Sequence, residues 1–487
     1  MKTGLQYIDS LRDRKMEVYY LGERIEDPVE HLSFRPHIQA AAATYDMAFH
    51  PDWEDLGSAV SCLTGERINR FTHIHQSAGD LVKKVKALRA LGCYTGTCFQ
   101  RCVGWDALNA LYITTYDMDQ KKGTSYHPRL VEFLRYVQRE DLMCDGAMTD
   151  PKGDRSLPPH KQADPDLYLR IVERRADGIV VRGAKAHQTG AVNSHEVIAM
   201  PTTAMGPNDA DWSVSFAIPA DAPGVTHIFG RQTNDTRRLE NTADCGNYRF
   251  GIVGGEALIV FDDVFIPWER VFMCGEHEFA GPLVETFASF HRQNYGGCKA
   301  GVADVMVGAA AVTAEYQGTA SASHVRDKLT EMMQMAETLY CGSIACSAEG
   351  TQTPSGAYFV NPLLANSTKL NVTRFMYEIS RLAQDIAGGF IATLPSEKDL
   401  RHPTVGKYVK KYFAGVAGIP VEDRFRMARL LENMSCGAAM VEAMHGAGSP
   451  QAQKIMIYRQ GNLESKKKAA KRLAGIDDES KDTPQVR

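Results

Sequence analysis

The stretch Met148-Thr-Asp-Pro-Lys-Gly-Asp-Arg155 divides the chain into a helical part and a β-rich part. Proline, glycine and aspartate are typical of loops, so the stretch predicts a long turn. Before it, apolar residues recur at helical spacing, as in residues 80–91 and 126–141. After it, short apolar runs separated by turn residues continue to about Trp268 and predict the strands of a barrel or sandwich.

The predicted strands and the helices that follow them define the architecture. The strand runs are 178–182, 197–200, 212–218, 227–229 and 257–261, and the later helical stretches are 302–316, 324–350 and 371–386. We predict a helical domain at 1–145, a β domain at 146–275 and a helical domain at 276–487. This order predicts an α+β, acyl-CoA dehydrogenase-like fold with a middle β-barrel domain and a C-terminal helical bundle.

The composition argues against several classes of function. The 487 residues carry a net charge of -4, which disfavours a general polyanion-binding surface, so we expect no nucleic-acid partner. We see no run of the ~20 apolar residues that a transmembrane helix needs, and no signal peptide, so we expect no membrane attachment. The 11 cysteines are an odd number and indicate a reducing, cytoplasmic setting, in which clustered cysteines serve metals or catalysis.

Two widely separated pairs of soft ligands stand out in the helical parts. They are Cys98-Phe-Gln-Arg-Cys102 and His291-Arg-Gln-Asn-Tyr-Gly-Gly-Cys298. On a helix, residues four or seven apart share a face, so each pair would aim two ligands in one direction. Three thiolates and an imidazole suit a tetrahedral zinc ion or an iron–sulfur cluster. Gly296 and Gly297 weaken helix formation, and burial of some cysteines as small apolar residues is the alternative.

Polar, glycine-punctuated stretches next to the predicted strands indicate a second kind of site. Residues 148–155 and Ala184-Lys-Ala-His-Gln-Thr-Gly190 can present backbone N–H groups to a flat cofactor, with ordinary turn chemistry as the alternative. The run Gln384-Asp-Ile-Ala-Gly-Gly389 allows close approach of a ligand or neighbouring subunit, or simply caps a helix. Tyr295 lies one predicted helical turn from His291, where a phenol can exchange a proton.

Five strings together resemble the 4-hydroxybutyryl-CoA dehydratase family. They are Cys98–Cys102, 148–155, Lys185-Ala-His-Gln-Thr189, His291–Cys298 and Met444-His-Gly-Ala-Gly-Ser-Pro-Gln-Ala-Gln453. The likeness runs from about Tyr7 to Gly475. The flavin-loop strings are shared with the related 4-hydroxyphenylacetate 3-monooxygenases, whereas the set of three cysteines and one histidine is particular to the dehydratases.

The resemblance implies an FAD and a 4Fe-4S cluster in each subunit of a homotetramer. The implied metal ligands are Cys98, Cys102, His291 and Cys298, with His291 on the iron that is open to exchange. The implied cofactor-binding residues are Thr149, Asp154, Lys185, His187, Gln188, Thr189, Gln384, Gly388 and Gly389. The implied catalytic residues are His291, Tyr295, Glu256 and Glu442, and Gln100 is a further residue that would line the site.

The implied activity is the radical dehydration of 4-hydroxybutyryl-CoA to crotonyl-CoA, with the cluster as a Lewis acid. The same apparatus would isomerise vinylacetyl-CoA. The main alternative is a flavin-dependent aromatic monooxygenase of the 4-hydroxyphenylacetate 3-hydroxylase type, which leaves the four soft ligands unexplained. A third alternative is a flavin-free protein with a structural zinc at Cys98, Cys102 and Cys298.

Overall fold

The N-terminal part of the protein is mainly helical, as the spacing of its apolar residues predicts. The computed structural model describes residues 1–231, 242–251 and 254–476. The first helices are α1 (Gly4–Arg12), α2 (Arg35–Asp46), α3 (Glu54–Gly57), α4 (Ala78–Thr95), α5 (Cys102–Lys122) and α6 (Tyr126–Glu140). The stretch 80–91 lies within α4, and 126–141 coincides with α6 to within a residue, which confirms both helices.

The strands form two larger sheets and two small hairpins. They are β1 (Glu17–Tyr20), β2 (Glu23–Arg24), β3 (Ser58–Val60), β4 (Arg67–Asn69), β5 (Cys144–Ala147), β6 (Arg170–Arg174), β7 (Gly178–Thr189), β8 (Glu196–Ala199), β9 (Val214–Pro219), β10 (Val225–Phe229), β11 (Glu256–Pro267), β12 (Val271–Cys274), β13 (Thr351–Gln352) and β14 (Tyr358–Phe359). The sheet orders are β2-β1-β10-β11-β7-β6 and β12-β9-β8-β5. Each of the five predicted strand runs overlaps one of these strands, which confirms them as strands.

The predicted closed β-barrel is wrong. Within the described residues, β2 and β6 form the edges of the larger sheet and pair only with β1 and β7, so the sheet is open. The smaller sheet is open in the same way, and it faces the larger one: Phe216 on β9 and Phe261 on β11 pack with ring centroids 5.9 Å apart. Alternating buried residues occur in open sheets and in barrels alike, so the sequence pattern could not distinguish them.

The C-terminal part is mainly helical, with the β13–β14 hairpin between two of its helices. Its helices are α7 (Ala280–Gln317), α8 (Ser323–Ala348), α9 (Pro362–Ala387), α10 (Glu397–Arg401), α11 (Gly406–Tyr412), α12 (Val421–Ser435), α13 (Gly437–His445), α14 (Pro450–Gln460) and α15 (Leu463–Leu473). The three predicted helical stretches coincide with parts of α7, α8 and α9, which confirms them. A second apolar core lies between these helices and α12 and α13.

Helix α7 connects the N-terminal and C-terminal parts because it packs closely against α4, α8 and α9. Gly296 and Gly297 do not interrupt α7. A Cβ on Gly297 would lie 2.8 Å from the carbonyl oxygen of Val85 in α4, and one on Gly296 would lie 2.5 Å from that of Leu339 in α8. The two glycines therefore permit close contact between helix backbones. The gain from this packing outweighs the low helix propensity of glycine, so α7 continues through both residues.

The sequence analysis predicted no apolar run long enough to cross a membrane, but the stretch that contains helix α7 meets this criterion. The stretch His277–Gln317 is long and apolar enough to cross a membrane by length and composition. However, 61% of the window that meets this test is buried inside the protein. The core helix of a soluble protein meets the same test, and α7 packs against protein helices over its length.

Candidate active site

One cavity is lined by all four predicted metal ligands. It lies where the start of α5, the middle of α7 and α13 meet, next to the end of β7. The cavity also contains the predicted catalytic residues Tyr295 and Glu442 and the predicted lining residues Gln100 and Thr189. Its complete lining is Thr97, Cys98, Phe99, Gln100, Cys102, Val103, Thr189, His291, Asn294, Tyr295, Cys298, Lys299, Val302 and Glu442.

The prediction that Cys98 and Cys102 lie on one helical face is wrong. Cys98 lies in the loop before α5, and Cys102 is the first residue of that helix. Gln100 between them has a φ of 67°, a left-handed conformation that is uncommon for a residue other than glycine. Its amide donates to the carbonyl oxygen of His37 at 3.2 Å and accepts from Asn193. The strained loop, rather than helical periodicity, brings the two thiols to one cavity.

His291 and Cys298 both lie on α7, as predicted, and reach the cavity two helical turns apart. The position of Cys298 depends on the close packing of α4: a Cβ on Gly92 would lie 2.4 Å from the carbonyl oxygen of Cys298. A Cβ on Gly254 would lie 3.3 Å from the Cys98 sulfur, so backbone closes the cavity on that side as well. These glycines permit the backbone to approach one residue of each ligand pair closely.

The chemistry of the donor set fits a metal cluster. Burial raises the pKa of the Cys98 and Cys102 thiols above their ordinary values and that of Cys298 to about 12. Bound metal cations would reverse this effect, because a coordinating thiol loses its proton. Within the ranges that the structure describes, no three His, Cys, Asp or Glu side chains converge tightly enough for a single metal ion. Four ligands around an open space suit a cluster, in which each iron takes one protein ligand.

His291 is held by buried polar residues that the sequence analysis did not find. Its Nδ1 lies 2.8 Å from Oδ2 of Asp106, and Oδ1 of Asp106 accepts from Nζ of Lys84 at 2.6 Å. The side chains of Asp106 and Lys84 are both 0% exposed. The amide of Asn294 also donates to Oδ2 of Asp106. Phe287 stacks on the imidazole with ring centroids 5.5 Å apart, which fixes the plane of the ring.

Tyr295 and Glu442 form a second polar group on the cavity wall. The Tyr295 hydroxyl donates to Oε1 of Glu442 at 2.7 Å, and Nζ of Lys299 donates to Oε2. Burial raises the Glu442 pKa by itself, but Lys299 and the Tyr295 hydrogen bond lower it below the ordinary value overall. Burial and the neighbouring Glu442 raise the pKa of Tyr295 well above 10. The phenol is therefore protonated and the carboxylate ionised at neutral pH.

Lys369 fixes the end of α13 and thereby the position of Glu442. Its Nζ donates to the carbonyl oxygens of Ala443 at 2.8 Å and Met444 at 3.2 Å, and lies 4.3 Å from the centroid of the Tyr295 ring. A lysine at these carbonyls satisfies groups that the last helical turn leaves unpaired. Burial lowers the Lys369 pKa to about 7.

Glu256 lies at the start of β11, opposite Thr189 at the end of β7. The Thr189 hydroxyl lies 2.8 Å from both Glu256 carboxyl oxygens. Burial raises the Glu256 pKa to about 8, with Glu442 contributing as a nearby negative charge. The structure thus places one carboxyl group that is protonated at neutral pH near the ionised Glu442.

Six of the nine predicted cofactor-binding residues lie in the loop after β5 and in the strand β7. Lys185 is buried, and its Nζ contacts Oδ1 of Asp150 at 2.6 Å and the carbonyl oxygens of Met148 and Met200. Lys185 therefore stabilises the loop after β5 through its ion pair with Asp150. The Thr149 carbonyl oxygen accepts from the amide of Gln188 at 2.9 Å, in the same network.

The remaining predicted cofactor residues are more accessible. His187 is exposed and has a φ of 58°, and Asp154 is exposed and bonds Ser156. Gln384 near the end of α9 donates to Ser435, and Gly388 and Gly389 follow it. Gln384, Gly388 and Gly389 are not among the residues that line the cavity.

Sequence reasoning missed Lys84, Asp106, Asn294, Lys299 and Lys369. One pattern could have revealed Asp106, which follows Cys102 by four residues on α5 and therefore shares its face. Likewise, Lys299 adjoins Cys298. Asn294 follows His291 by three residues on α7 and shares its face, whereas Lys84 on α4 and Lys369 on α9 reach the site only through the packing of these helices.

Comparison of the sequence and fold with known proteins first identifies the class to which the chain belongs. The family models 4-hydroxyphenylacetate 3-hydroxylase N terminal and C terminal match residues 3–273 and 280–475. The oxygenase component of 4-hydroxyphenylacetate 3-monooxygenase, solved in complex with FAD, superposes with a TM-score of 0.85 at 23% identity, over 97% of this chain and 98% of that one. The two family models together cover most of the chain, so it belongs to the class of the 4-hydroxyphenylacetate 3-hydroxylases.

More similar proteins narrow this class. The 4-hydroxybutyryl-CoA dehydratase/vinylacetyl-CoA-Delta-isomerase of Clostridium aminobutyricum is 56% identical, over 98% of this chain and all of that protein. The solved oxygen-tolerant 4-hydroxybutyryl-CoA dehydratase from N. maritimus has a TM-score of 0.96 and 53% identity, over 100% of this chain and 97% of that one. The chain therefore belongs to the 4-hydroxybutyryl-CoA dehydratase family.

These comparisons also correct the predicted acyl-CoA dehydrogenase-like fold. A glutaryl-coenzyme A dehydrogenase superposes with a TM-score of only 0.50 at 11% identity, against 0.85 for the monooxygenase component. The fold is that of the 4-hydroxyphenylacetate 3-hydroxylases, and the likeness to the dehydrogenases is weak. The order helices, strands, helices is shared by both folds, so the sequence pattern favoured the wrong one.

Proposed function

We propose that this protein dehydrates 4-hydroxybutyryl-CoA to crotonyl-CoA and isomerises vinylacetyl-CoA to the same product. The similarity to two dehydratases over nearly the whole chain supports this proposal. The observation that carries it is the single cavity that contains Cys98, Cys102, His291 and Cys298 together with Tyr295. An aromatic monooxygenase has no evident need for this donor set.

We propose that a 4Fe-4S cluster is held by Cys98, Cys102, Cys298 and Nε2 of His291. A relative of the same fold was solved with FAD, and we place the flavin against the loop after β5 and the end of β7, where most of the implied cofactor residues lie. When bound, the flavin supplies one-electron chemistry and the cluster a Lewis-acidic iron for the C4 hydroxyl group. The protein must then bind and orient the thioester, exclude water and move protons.

Two carboxyl groups with opposite protonation states would carry out the proton transfers, one as an acceptor and the other as a donor. Glu442 is ionised between Lys299 and Tyr295, so it can take up a proton that passes through the Tyr295 hydroxyl. Glu256 is protonated at neutral pH and can donate one. Nε2 of His291 is the third candidate, as an acceptor of the C2 proton once it is free of iron. Environments that push two carboxyl pKa values apart are typical of acid–base pairs.

We further propose that the active form is a homotetramer. Gln384, Gly388 and Gly389 lie at the end of α9 and outside the cavity, so within one subunit they have no role at the site. Contact with the flavin of a neighbouring subunit would give them one. Light scattering on the flavin-loaded protein measures the mass, and a monomer with full flavin content would contradict this assignment.

The test of the function is an anaerobic assay of the purified protein. Iron, sulfide and flavin are measured per subunit, and 4-hydroxybutyryl-CoA is followed to crotonyl-CoA. We expect a broad brown absorbance, both cofactors and both activities. A two-band flavin spectrum without iron, together with oxygen-dependent hydroxylation of a phenol, would favour the monooxygenase alternative. Zinc without flavin would favour the third.

A further inference from the structure

We propose that Asp106 is a positioning residue that fixes the tautomer and direction of His291, so that Nε2 of the imidazole faces the cluster. This inference rests on the proposed function, in which Nε2 binds iron. Neutral imidazole carries one N–H, and the nitrogen that binds a metal must be the other one. An acceptor at Nδ1 therefore decides whether Nε2 can be a ligand or a base.

The geometry places such an acceptor at Nδ1 and leaves Nε2 open. Oδ2 of Asp106 lies 2.8 Å from Nδ1 of His291. Asp106 is fully buried on α5, four residues after the ligand Cys102, so the same helix supplies a thiolate and the partner of the imidazole. Among the described residues, no hydrogen-bond partner reaches Nε2, and the histidine lines the cavity. Ligand histidines in metal sites commonly use a carboxylate in this way.

Lys84 determines which oxygen of Asp106 faces the histidine. Its Nζ lies 2.6 Å from Oδ1 and sits over the rings of Trp105 and Phe290, with centroids 5.3 and 5.2 Å away. The amine also lies 3.4 Å from the Phe290 carbonyl oxygen. A buried ion pair of this kind adds little net stability, because desolvation offsets the attraction. Holding the carboxylate in one orientation is a role that explains its presence beside a ligand.

Because of these contacts, we expect Asp106→Asn to change the tautomer of His291. Lys84 carries three N–H donors and requires an acceptor, so it holds the amide oxygen of the new Asn at the Oδ1 position. The amide NH₂ group then faces Nδ1 of His291 as a donor. Asn294 can accommodate this change by turning its own amide, because its Oδ1 is buried without a hydrogen-bond partner. Nδ1 becomes an acceptor and the proton moves to Nε2, which can no longer bind iron.

The experiment compares wild-type protein, Asp106→Asn and Glu196→Gln, all purified anaerobically. Glu196 is a buried carboxyl group paired with Arg270 at 3.0 Å, away from the cavity, so its amide variant controls for replacing a buried, hydrogen-bonded carboxyl group by an amide. The readouts are iron and sulfide per subunit, the Mössbauer signal of the unique iron, and the rate of iron loss to a chelator. For Asp106→Asn we expect 10–100-fold weaker retention of the unique iron, with flavin content unchanged. Glu196→Gln should match wild type.

A mutant cycle separates positioning from general stability. The His291→Cys variant has no Nδ1, so in that background the Asp106→Asn change should leave the iron content unchanged. An equal loss in both backgrounds would overturn the inference. If Asp106→Asn does not fold, the double variant Lys84→Met/Asp106→Leu replaces it, because removing both members of a buried ion pair is better tolerated than removing one. That variant should show the same weak iron retention.

The outcomes also separate this inference from the proposed function. A wild-type protein without iron, sulfide or crotonyl-CoA formation would overturn both. A wild-type protein with all three, whose Asp106→Asn or Lys84→Met/Asp106→Leu variant keeps the wild-type signal of the unique iron, would overturn the role of Asp106 alone.

Discussion

Replacing Gly446 with alanine should disable the Tyr295–Glu442 pair without touching either residue. Gly446 has a φ of -57°, which alanine adopts without strain. However, its Cβ would lie 1.6 Å from the Tyr295 hydroxyl oxygen, and an ordinary contact begins at 3.4 Å. The phenol must therefore move by about 1.8 Å, which is enough to break its 2.7 Å hydrogen bond to Glu442.

The expected magnitude follows from that displacement. A hydrogen bond to a charged group contributes about 1.5–3 kcal/mol, so urea unfolding should show a loss of stability in this range. A misplacement of about 1 Å near the reacting atoms can cost on the order of 10²-fold in rate, so crotonyl-CoA formation should fall by at least that factor. Flavin and iron content should remain, since the atoms nearest a Cβ on Gly446 belong to Tyr295 and Glu442 and not to any proposed flavin or iron ligand.

Gly308 provides the matched control. It lies on the exposed side of α7, and a Cβ there would have open space around it. Gly308→Ala should raise stability by up to about 1 kcal/mol, because alanine has the higher helix propensity, and it should leave the rate unchanged. A Gly446→Ala protein with the wild-type rate and stability would show that Tyr295 can move at no cost. The proposed role of its hydrogen bond to Glu442 in proton transfer would then be wrong.

Three other perturbations test the site. Cys298→Ala should lose iron and activity but keep flavin, measured as the iron-to-flavin ratio, whereas unfolding of the variant would favour a purely structural metal. His291→Cys should lower dehydration and isomerisation together by ~10²–10⁴-fold at full iron content, and retained isomerisation would move the base elsewhere. Burial raises the Glu256 pKa from 4.5 to about 8, so its contribution to stability is fully present below pH 4.5 and is lost as the pH rises through 8. Urea unfolding of Glu256→Gln across this pH range should lack that loss, and a wild-type-like pH dependence of the variant would contradict the assignment.

The sequence allowed the order of helices and strands to be predicted, because periodicity is a local property. Residues 126–141 show this: their apolar stripe coincides with α6 to within one residue. The closure of the sheets is not local, since the pairing of β1 with β10 joins residues about 200 positions apart. Periodicity therefore predicted the strands but gave a barrel in place of two open sheets.

The candidate site was predictable where chemistry is concentrated in unusual residues. Cys98, Cys102, His291 and Cys298 are few and soft, and all four line one cavity. Lys84 and Asp106, by contrast, are of residue types that are exposed in most proteins, and only their complete burial identifies them. The helical argument for Cys98 was wrong because the unusual φ of Gln100 is a property of tertiary structure.

The wide separation of the ligand pairs also has a consequence for biosynthesis. Nearly 190 residues lie between Cys102 and His291. At a synthesis rate of about 5–20 residues per second, the first two thiols leave the ribosome roughly 10–40 s before the second pair exists. During that interval no cluster can be completed, and the early thiols are open to oxidation. The proposed cluster can therefore be completed only after Cys298 has been synthesised, and we expect oxygen during synthesis to lower the yield of active protein.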